Sequence, residues 1–388
     1  MNNKSPRILI VSGEVSGDMY AAELIKEIRK RLPSAHFCGL GGERSRLAGM
    51  EILADMTSLS VVGFSEVFKN LHKFKAVFNK VVSFASSFRP DAAILVDYPG
   101  FNLRLAAKLR KAGIPVIYYV SPQIWAWGAG RIKAIRRDVE LMIVLFQFEE
   151  KLYKKENVPV FFSGHPLIEM VKPDPIKKAA LLQNNRIREG IPVIALMPGS
   201  RRKEITALLN PMLDTCAILN EMLGGKVQFL LLHAPGIPFD LLQDRVYEYG
   251  LDIKIISGYN YEALEASDFA LVASGTATLE AAVIGVPMAI MYRVSFLTWA
   301  FLKILLKTKH AGIVNIIFGK EIVKEFLQYN MKPERIAGYA YSVISDSAAA
   351  AGIKKGLRRV KDSIGQGQSV GRAAEAIVEF VEKRRTAG

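Results

Sequence analysis

Residues 7–18 read Arg-Ile-Leu-Ile-Val-Ser-Gly-Glu-Val-Ser-Gly-Asp, and the reading of this stretch decides the fold. Ile8 to Val11 are a short continuous apolar run, Ser12 to Asp18 a turn with two glycines, and Leu24, Ile25, Ile28 and Leu32 then mark one helix face. A buried strand that runs through a tight turn into a helix is the opening unit of an α/β domain with parallel strands.

The same rhythm continues outward from this stretch. Apolar runs recur at Ala92 to Val96, Val116 to Val120, Leu141 to Leu145, Val193 to Met197, Phe229 to Leu232, Ile253 to Ile256, Phe269 to Ala273 and Met288 to Met291, with helical periodicity between them. Continuous rather than alternating apolar strands imply sheets covered on both faces. The expected fold is therefore α/β, with parallel, doubly wound sheets. A chain of 388 residues is long enough for two such cores. Between Pro166 and Pro192 the strand rhythm stops in a polar, proline-containing segment. The predicted organisation is an N-terminal domain over 1–168, a linker over 169–191, a C-terminal domain over 192–345 and a helical tail over 346–388. That tail is expected to pack on the N-terminal domain or on a partner subunit, which leaves a homodimer open.

The formal charge of +15 suits nucleic acid, anionic lipid headgroups or a phosphorylated substrate alike. No zinc-finger spacing, recognition-helix signature or RNA-binding aromatic motif accompanies it, so nucleic acid is set aside. Cys38 and Cys216 lie far apart in apolar surroundings and read as packed thiols in a reducing compartment. The apolar run after MNNKSPR is too brief for a signal-peptide core. The longest apolar segments, 139–148 and 296–306, fall short of the roughly twenty residues that a span needs.

Several turns carry chemistry-bearing residues at strand ends. The turn with Gly13, Ser16 and Gly17 aims backbone N–H groups and a helix dipole at an anionic ligand, unless its glycines serve the backbone alone. It is neither GxGxxG nor a Gly-Lys phosphate loop, so neither a dinucleotide nor an ATPase has its fingerprint here. Pro198-Gly199-Ser200-Arg201-Arg202-Lys203-Glu204 is an equivalent turn, with Ser200 expected as N-cap and Arg201 as a bidentate clamp for a diphosphate or a solvated surface arginine. In Ser274-Gly275-Thr276-Ala277-Thr278-Leu279-Glu280 the hydroxyls can cap a helix or bind phosphate, and Glu280 can reach a ribose diol or simply complement the dipole. Asp97, at the end of Ala92 to Val96, is a candidate base or the cap of a following helix.

The histidines show no ligand spacing and there is no Asp-x-Asp, so neither a metal nor a cofactor is expected. His165 reads as structural. Two amphipathic, basic and aromatic-rich stripes are candidates for lipid or membrane contact, with core packing as the alternative. One includes Phe64, Phe68, Phe74 and Phe78, the other Trp299 and Leu302.

Taken in order, SGEVSGD, VDYPGFN, YVSPQIWAWGAGRI, FSGHPL, LMPGSRRKEI, ASGTATLEAA and IVNIIFGKEIVKEFLQ resemble the lipid A disaccharide synthases, from about Arg7 to about Gly365. The resemblance implies a glycosyltransferase-B fold, α/β with two Rossmann-like, doubly wound domains facing a central cleft, an acceptor domain followed by a UDP-sugar domain. It implies a metal-independent, inverting transfer from UDP-2,3-diacylglucosamine to 2,3-diacylglucosamine 1-phosphate, giving a β(1→6) disaccharide and UDP. Asp97 then becomes the base, Arg201 the diphosphate clamp, Glu280 with Ser274 to Thr276 the nucleoside site, and Asn315 a further residue near the donor. Acylated substrates imply the inner-leaflet membrane surface as a partner, reached from the cytoplasmic side of a bacterial inner membrane. Where some relatives have a second acid this chain has Gly100, so base duty shared at that loop is not expected. Two competitors stay open: a nonhydrolysing UDP-N-acetylglucosamine epimerase, which shares the fold and needs no lipid, and a non-catalytic membrane-surface adaptor.

Overall fold

A computed structural model of the protein describes residues 5–56, 71–125, 129–294 and 310–387. Its first sheet has seven strands, β1 (Arg7–Ser12), β2 (His36–Gly41), β3 (Glu51–Asp55), β4 (Ala92–Val96), β5 (Val116–Tyr119), β6 (Leu141–Val144) and β7 (Val160–Phe162), in the order β3-β2-β1-β4-β5-β6-β7. Its second has six, β8 (Val193–Met197), β9 (Gln228–His233), β10 (Ile253–Ser257), β11 (Phe269–Ala273), β12 (Met288–Tyr292) and β13 (Glu325–Leu327), in the order β10-β9-β8-β11-β12-β13. Every pairing in both is parallel. The expected doubly wound α/β class is what the chain adopts, because strands such as AAILV and FALVA are buried along their whole length and need helices on both sides.

Every apolar run picked out in the sequence is a strand. The strands that the pattern left out are β2, β3, β7 and β13. Three of these are sheet edges, where one neighbour is missing and burial is only partial. The fourth, β2, is interior but carries Gly39 at φ +151, where a Cβ would run into the Ile10 carbonyl oxygen. Close approach of two backbones selects glycine there and erases the apolar signal.

By internal contacts the chain divides into one unit of Met1–Pro166 with Gly365–Gly388 and another of Leu167–Ile364. The first is centred on residues such as Leu9, Val11, Leu95, Tyr118 and Val144, the second on Leu196, Met212, Leu231, Leu271 and Met291. In the first unit the terminal helix Ser369–Ala387 packs on the helix Val15–Arg31. Arg372 adds a hydrogen bond of 3.0 Å to the Phe162 carbonyl, and Arg384 an ion pair with Glu140. In the second unit Leu167–Met170 and Pro175–Asn184 are helical. Asp174 caps the latter by accepting from the Ile176 N–H at 2.9 Å, and Pro175 stands at its first position.

Of the residues proposed to touch lipid, Phe74 and Phe78 are half-buried on the helix Leu71–Phe88. They pack against the first core, with Phe78 edge-on to Phe101 at 5.3 Å. Phe64, Phe68, Trp299 and Leu302 lie outside the described residues. No helix among the described residues is long and apolar enough to cross a membrane. Both cysteines are buried, and burial pushes the Cys38 thiol up to about 12, so it packs as a small hydrophobe.

Candidate active site

In each sheet the strand order reverses between two adjacent parallel strands, β1 and β4 in the first, β8 and β11 in the second. Helices leave such a pair on opposite faces, which opens a crevice at the carboxyl ends of the strands. The sequence-predicted residues follow these very strands: Gly13 after β1, Asp97 after β4, Ser200 and Arg201 after β8, Ser274 to Thr276 after β11.

In the first unit the chain leaves β4 through two consecutive left-handed residues, Asp97 and Tyr98, both at φ +49. Such a conformation for non-glycine residues persists only when neighbours hold it. The Asp97 carbonyl accepts from the Tyr118 hydroxyl at 2.6 Å and from the Asn102 Nδ2 at 2.8 Å, and its N–H donates to the Tyr119 carbonyl at 2.9 Å. Asn102 is fully buried, and its amide also reaches the Val96 carbonyl at 3.2 Å. Tyr98, not Asp97, is the N-cap of the helix Pro99–Lys111, so the Asp97 carboxylate is not consumed as a cap. Burial, with a smaller contribution from the charge on Glu14, raises its pKa to about 6. Glu14, in the turn after β1, is a second acid that sequence reasoning passed over. Its only clue was its position beside Gly13.

The other residues of that first turn divide by role. The Tyr98 ring fills the space above Gly13, so a Cβ there would have to push the ring aside. Ser16 is exposed in the first helical turn, and Gly17 packs behind it near Ser12. Asp18 is structural: its carboxylate accepts from the N–H groups of Gly42 at 2.7 Å, Arg44 at 3.1 Å and Ser45 at 3.2 Å, and from the Ser45 hydroxyl. His165 is buried against Phe146, and burial lowers its pKa to about 4, which keeps it neutral.

In the second unit Met197 pairs with Val272, so the turns after β8 and β11 leave the sheet side by side. Ser200 was expected as the cap of the first of these. The structure corrects this: the N-cap is Arg201, and Glu204 accepts from the Ser200 N–H at 3.0 Å and the Arg201 N–H at 3.3 Å. The carboxylate reaches both because Gly199, at φ +117, leaves room that a Cβ would fill, only 2.6 Å from the Glu204 Cβ. Two amides a phosphate would use are thus engaged, and what this turn offers an anion is the Arg201 guanidinium, exposed and 3.3 Å from Glu204. The turn after β11 differs. Gly275 is its N-cap, at φ 152 and ψ −157, a region open essentially to glycine alone, and no side chain caps the helix Thr276–Ile284. The exposed Thr276 and half-buried Ser274 flank a helix N-terminus free of a side-chain cap, the arrangement that binds phosphate.

Glu280 is half-buried in the same helix, and burial raises its pKa. Tyr261, another residue missed in the sequence, donates to it at 3.4 Å. Asn315 stands on the helix Ile313–Phe318, which packs on the helix Thr276–Ile284, and its side chain is used by its own segment. It accepts from the Ile322 and Val323 N–H groups at 2.9 and 3.2 Å and donates to the Val323 carbonyl at 2.9 Å and to Glu325 at 2.7 Å. Among the described residues no three His, Cys, Asp or Glu side chains cluster as a metal site.

Taken separately, the first unit supplies a desolvated acid at a strand end, and the second a guanidinium and an uncapped helix N-terminus, groups of the kinds used in proton abstraction and in stabilising a diphosphate leaving group. Comparison with known proteins gives the family. Residues 8–380 match the family described as lipid-A-disaccharide synthetase. The lipid-A-disaccharide synthase of Syntrophus aciditrophicus is 38% identical over 384 residues, covering 99% of both chains. That of Geobacter sulfurreducens is 38% identical over 382 residues, covering 98% of this chain and 99% of its own. Among solved structures, a UDP-GlcNAc 2-epimerase from Neisseria meningitidis bound to UDP-GlcNAc has a TM-score of 0.61 at 14% identity, with coverage of 97% and 100%. A glycosyltransferase from Rickettsia africae has a TM-score of 0.57 at 12% identity, with coverage of 98% and 99%. Such distant likeness establishes the fold and does not choose between epimerase and transferase, whereas the full-length sequence match does. The chain belongs to the lipid-A-disaccharide synthase family.

Proposed function

We propose that the protein transfers 2,3-diacylglucosamine from its UDP derivative to 2,3-diacylglucosamine 1-phosphate, with Asp97 as base and Arg201 as diphosphate clamp. The acceptor 6-hydroxyl oxygen attacks the anomeric carbon and its proton passes to the Asp97 carboxylate. As that carbon–oxygen bond forms, the bond from the anomeric carbon to the diphosphate breaks, and UDP departs with the electron pair. Attack opposite the leaving group inverts the anomeric centre. The Arg201 guanidinium and the helix N-terminus behind Ser274 to Thr276 meet the charge that grows on the diphosphate, while Glu280 receives the ribose diol. Asn315 serves the donor side by bracing the segment that ends at Glu325.

The observation that best supports this reading is the state of Asp97. A carboxyl whose pKa lies near 6 is ionised at neutral pH, yet is a stronger base than a solvated aspartate. Since both substrates are acylated, the enzyme works at an anionic membrane surface, drawn there by its charge of +15. Vesicle co-sedimentation that weakens with salt is the expected behaviour.

One assay tests the reaction class. UDP release is expected only when the UDP-diacylglucosamine donor and the acylated acceptor are both present. Turnover of UDP-N-acetylglucosamine alone would instead identify an epimerase, and vesicle binding without UDP release an adaptor.

A further inference from the structure

The segment Ser121–Trp125 and the acid that holds it have no part in the chemistry above. Glu149 is 2% exposed, in the first turn of the helix Gln147–Lys155 that follows β6. Its Oε1 accepts from the Ser121 hydroxyl at 2.7 Å and the Trp125 indole N–H at 3.1 Å, and its Oε2 from the Phe146 N–H at 3.3 Å. What stabilises the carboxylate is this set of donors, while burial pushes its pKa to about 7. A packed core has no need of an acid at such a place, since an apolar residue of similar volume would fill it without the desolvation cost.

The segment it ties down is itself under constraint. It begins after Val120, a β-branched residue held at φ +65, where backbone strain persists only under outside restraint. Within it, the Ile124 N–H turns back to the Pro122 carbonyl at 2.7 Å, the Tyr153 hydroxyl reaches that same carbonyl at 3.5 Å, and Trp125 stands edge-on to Phe148 at 5.4 Å. Ser121, Pro122 and Ile124 are buried, and Gln123 is left exposed. The segment leaves the sheet from β5, the neighbour of β4, and the Asp97 backbone is bonded to Tyr118 and Tyr119 at the end of that strand. It therefore emerges one strand away from the proposed base, on the same edge.

We infer that Glu149 is a positioning residue for the acceptor sugar: by holding Ser121 and Trp125 it fixes the Ser121–Trp125 segment as the wall beside Asp97 against which the sugar is oriented. This rests on the proposed transfer with Asp97 as base. A neutral amide replaces the acid only in part: its one oxygen can still accept from Ser121 and Trp125, but without the charge that strengthens those bonds, and its NH₂ then faces the Phe146 N–H, a donor.

Steady-state UDP release by the full-length enzyme, with donor and acceptor varied separately, tests the inference. Glu149→Gln is expected to raise the acceptor KM about tenfold or more, the loss expected when a hydrogen-bonded charge is broken, with the donor KM unchanged. Ser121→Ala and Trp125→Phe are expected to act in the same direction but less, and Ser121→Thr, which keeps the hydroxyl, to stay near wild type. An unchanged acceptor KM, a fall in kcat alone, or an equal rise in both KM values would overturn it, each being what a merely structural role predicts. Should Glu149→Gln not fold, Ser121→Ala and Trp125→Phe decide by the same criteria. Failure of the underlying reading looks different: the wild-type protein would then release no UDP in response to acceptor.

Discussion

The Tyr98 ring occupies the space that any side chain on Gly13 would need. The turn after β1 and the turn after β4 are thereby packed face to face, and the residue next to that ring is Asp97. Gly13→Ala must push the ring aside and disturb two left-handed residues. It should destabilise the protein by about 1–3 kcal/mol, as overpacking does, and lower kcat/KM by more than that stability loss explains. Thermal melts and kinetics on the same preparation check this, and an alanine variant with wild-type kcat/KM would show that the packing does not matter to Asp97.

Asp97→Asn should separate stability from activity. The folded pKa, near 6, lies above the ordinary aspartate value of 3.8. The native state therefore binds the proton more tightly than the unfolded chain, and stability falls as pH rises from about 4 to about 6. At pH 7 the ionised acid costs the fold up to about 3 kcal/mol, less whatever solvent screening recovers. Asparagine removes that charge and tolerates the left-handed conformation. The variant should melt higher than wild type at pH 7, gain nothing at pH 4, and lose activity by about a hundredfold or more.

Glu14→Gln probes the second acid. Its charge contributes to raising the Asp97 pKa, after burial, so removing it should move the acid limb of the kcat/KM profile from near pH 6 to lower pH. Added salt should move the wild-type limb the same way and leave the variant's limb less affected, because Glu14 is exposed and its field is screened. An acid limb identical in the two proteins at low salt would remove Glu14 from the site.

Arg201→Ala should be nearly silent in a melting experiment. The side chain is exposed and its ion pair with Glu204 is a surface pair, worth about 0–1 kcal/mol. Loss of the diphosphate clamp should nevertheless lower kcat/KM by about a hundredfold or more. Arg201→Lys should recover only part of this, because an ammonium lacks the planar, bidentate fork. Wild-type kinetics for the alanine variant would move the clamp elsewhere.

Much of this protein could be read along the chain, because the relevant physics is local. A strand buried on both faces must be apolar throughout, so β4 and β11 announced themselves, as did the turns at their ends that carry Asp97 and Ser274 to Thr276. Most of what stayed hidden depends on residues distant in sequence. The edge strands β3, β7 and β13 lack a neighbour on one side and so lack the continuous apolar signature. Glu149 looks like any exposed acid in a helical first turn until folding brings Ser121 and Trp125 to it. Ser200 and Glu204 are close in sequence, yet only backbone geometry at Gly199 decided that the glutamate, not the serine, satisfies the turn. The sequence by itself determined the architecture and the strand ends where chemistry sits, because periodicity and turn residues act over a few positions. Tertiary structure alone decided which carboxylates are desolvated and which are spent on backbone amides, because burial and hydrogen-bond geometry follow from how the folded backbone brings groups together, most of them tens of residues apart.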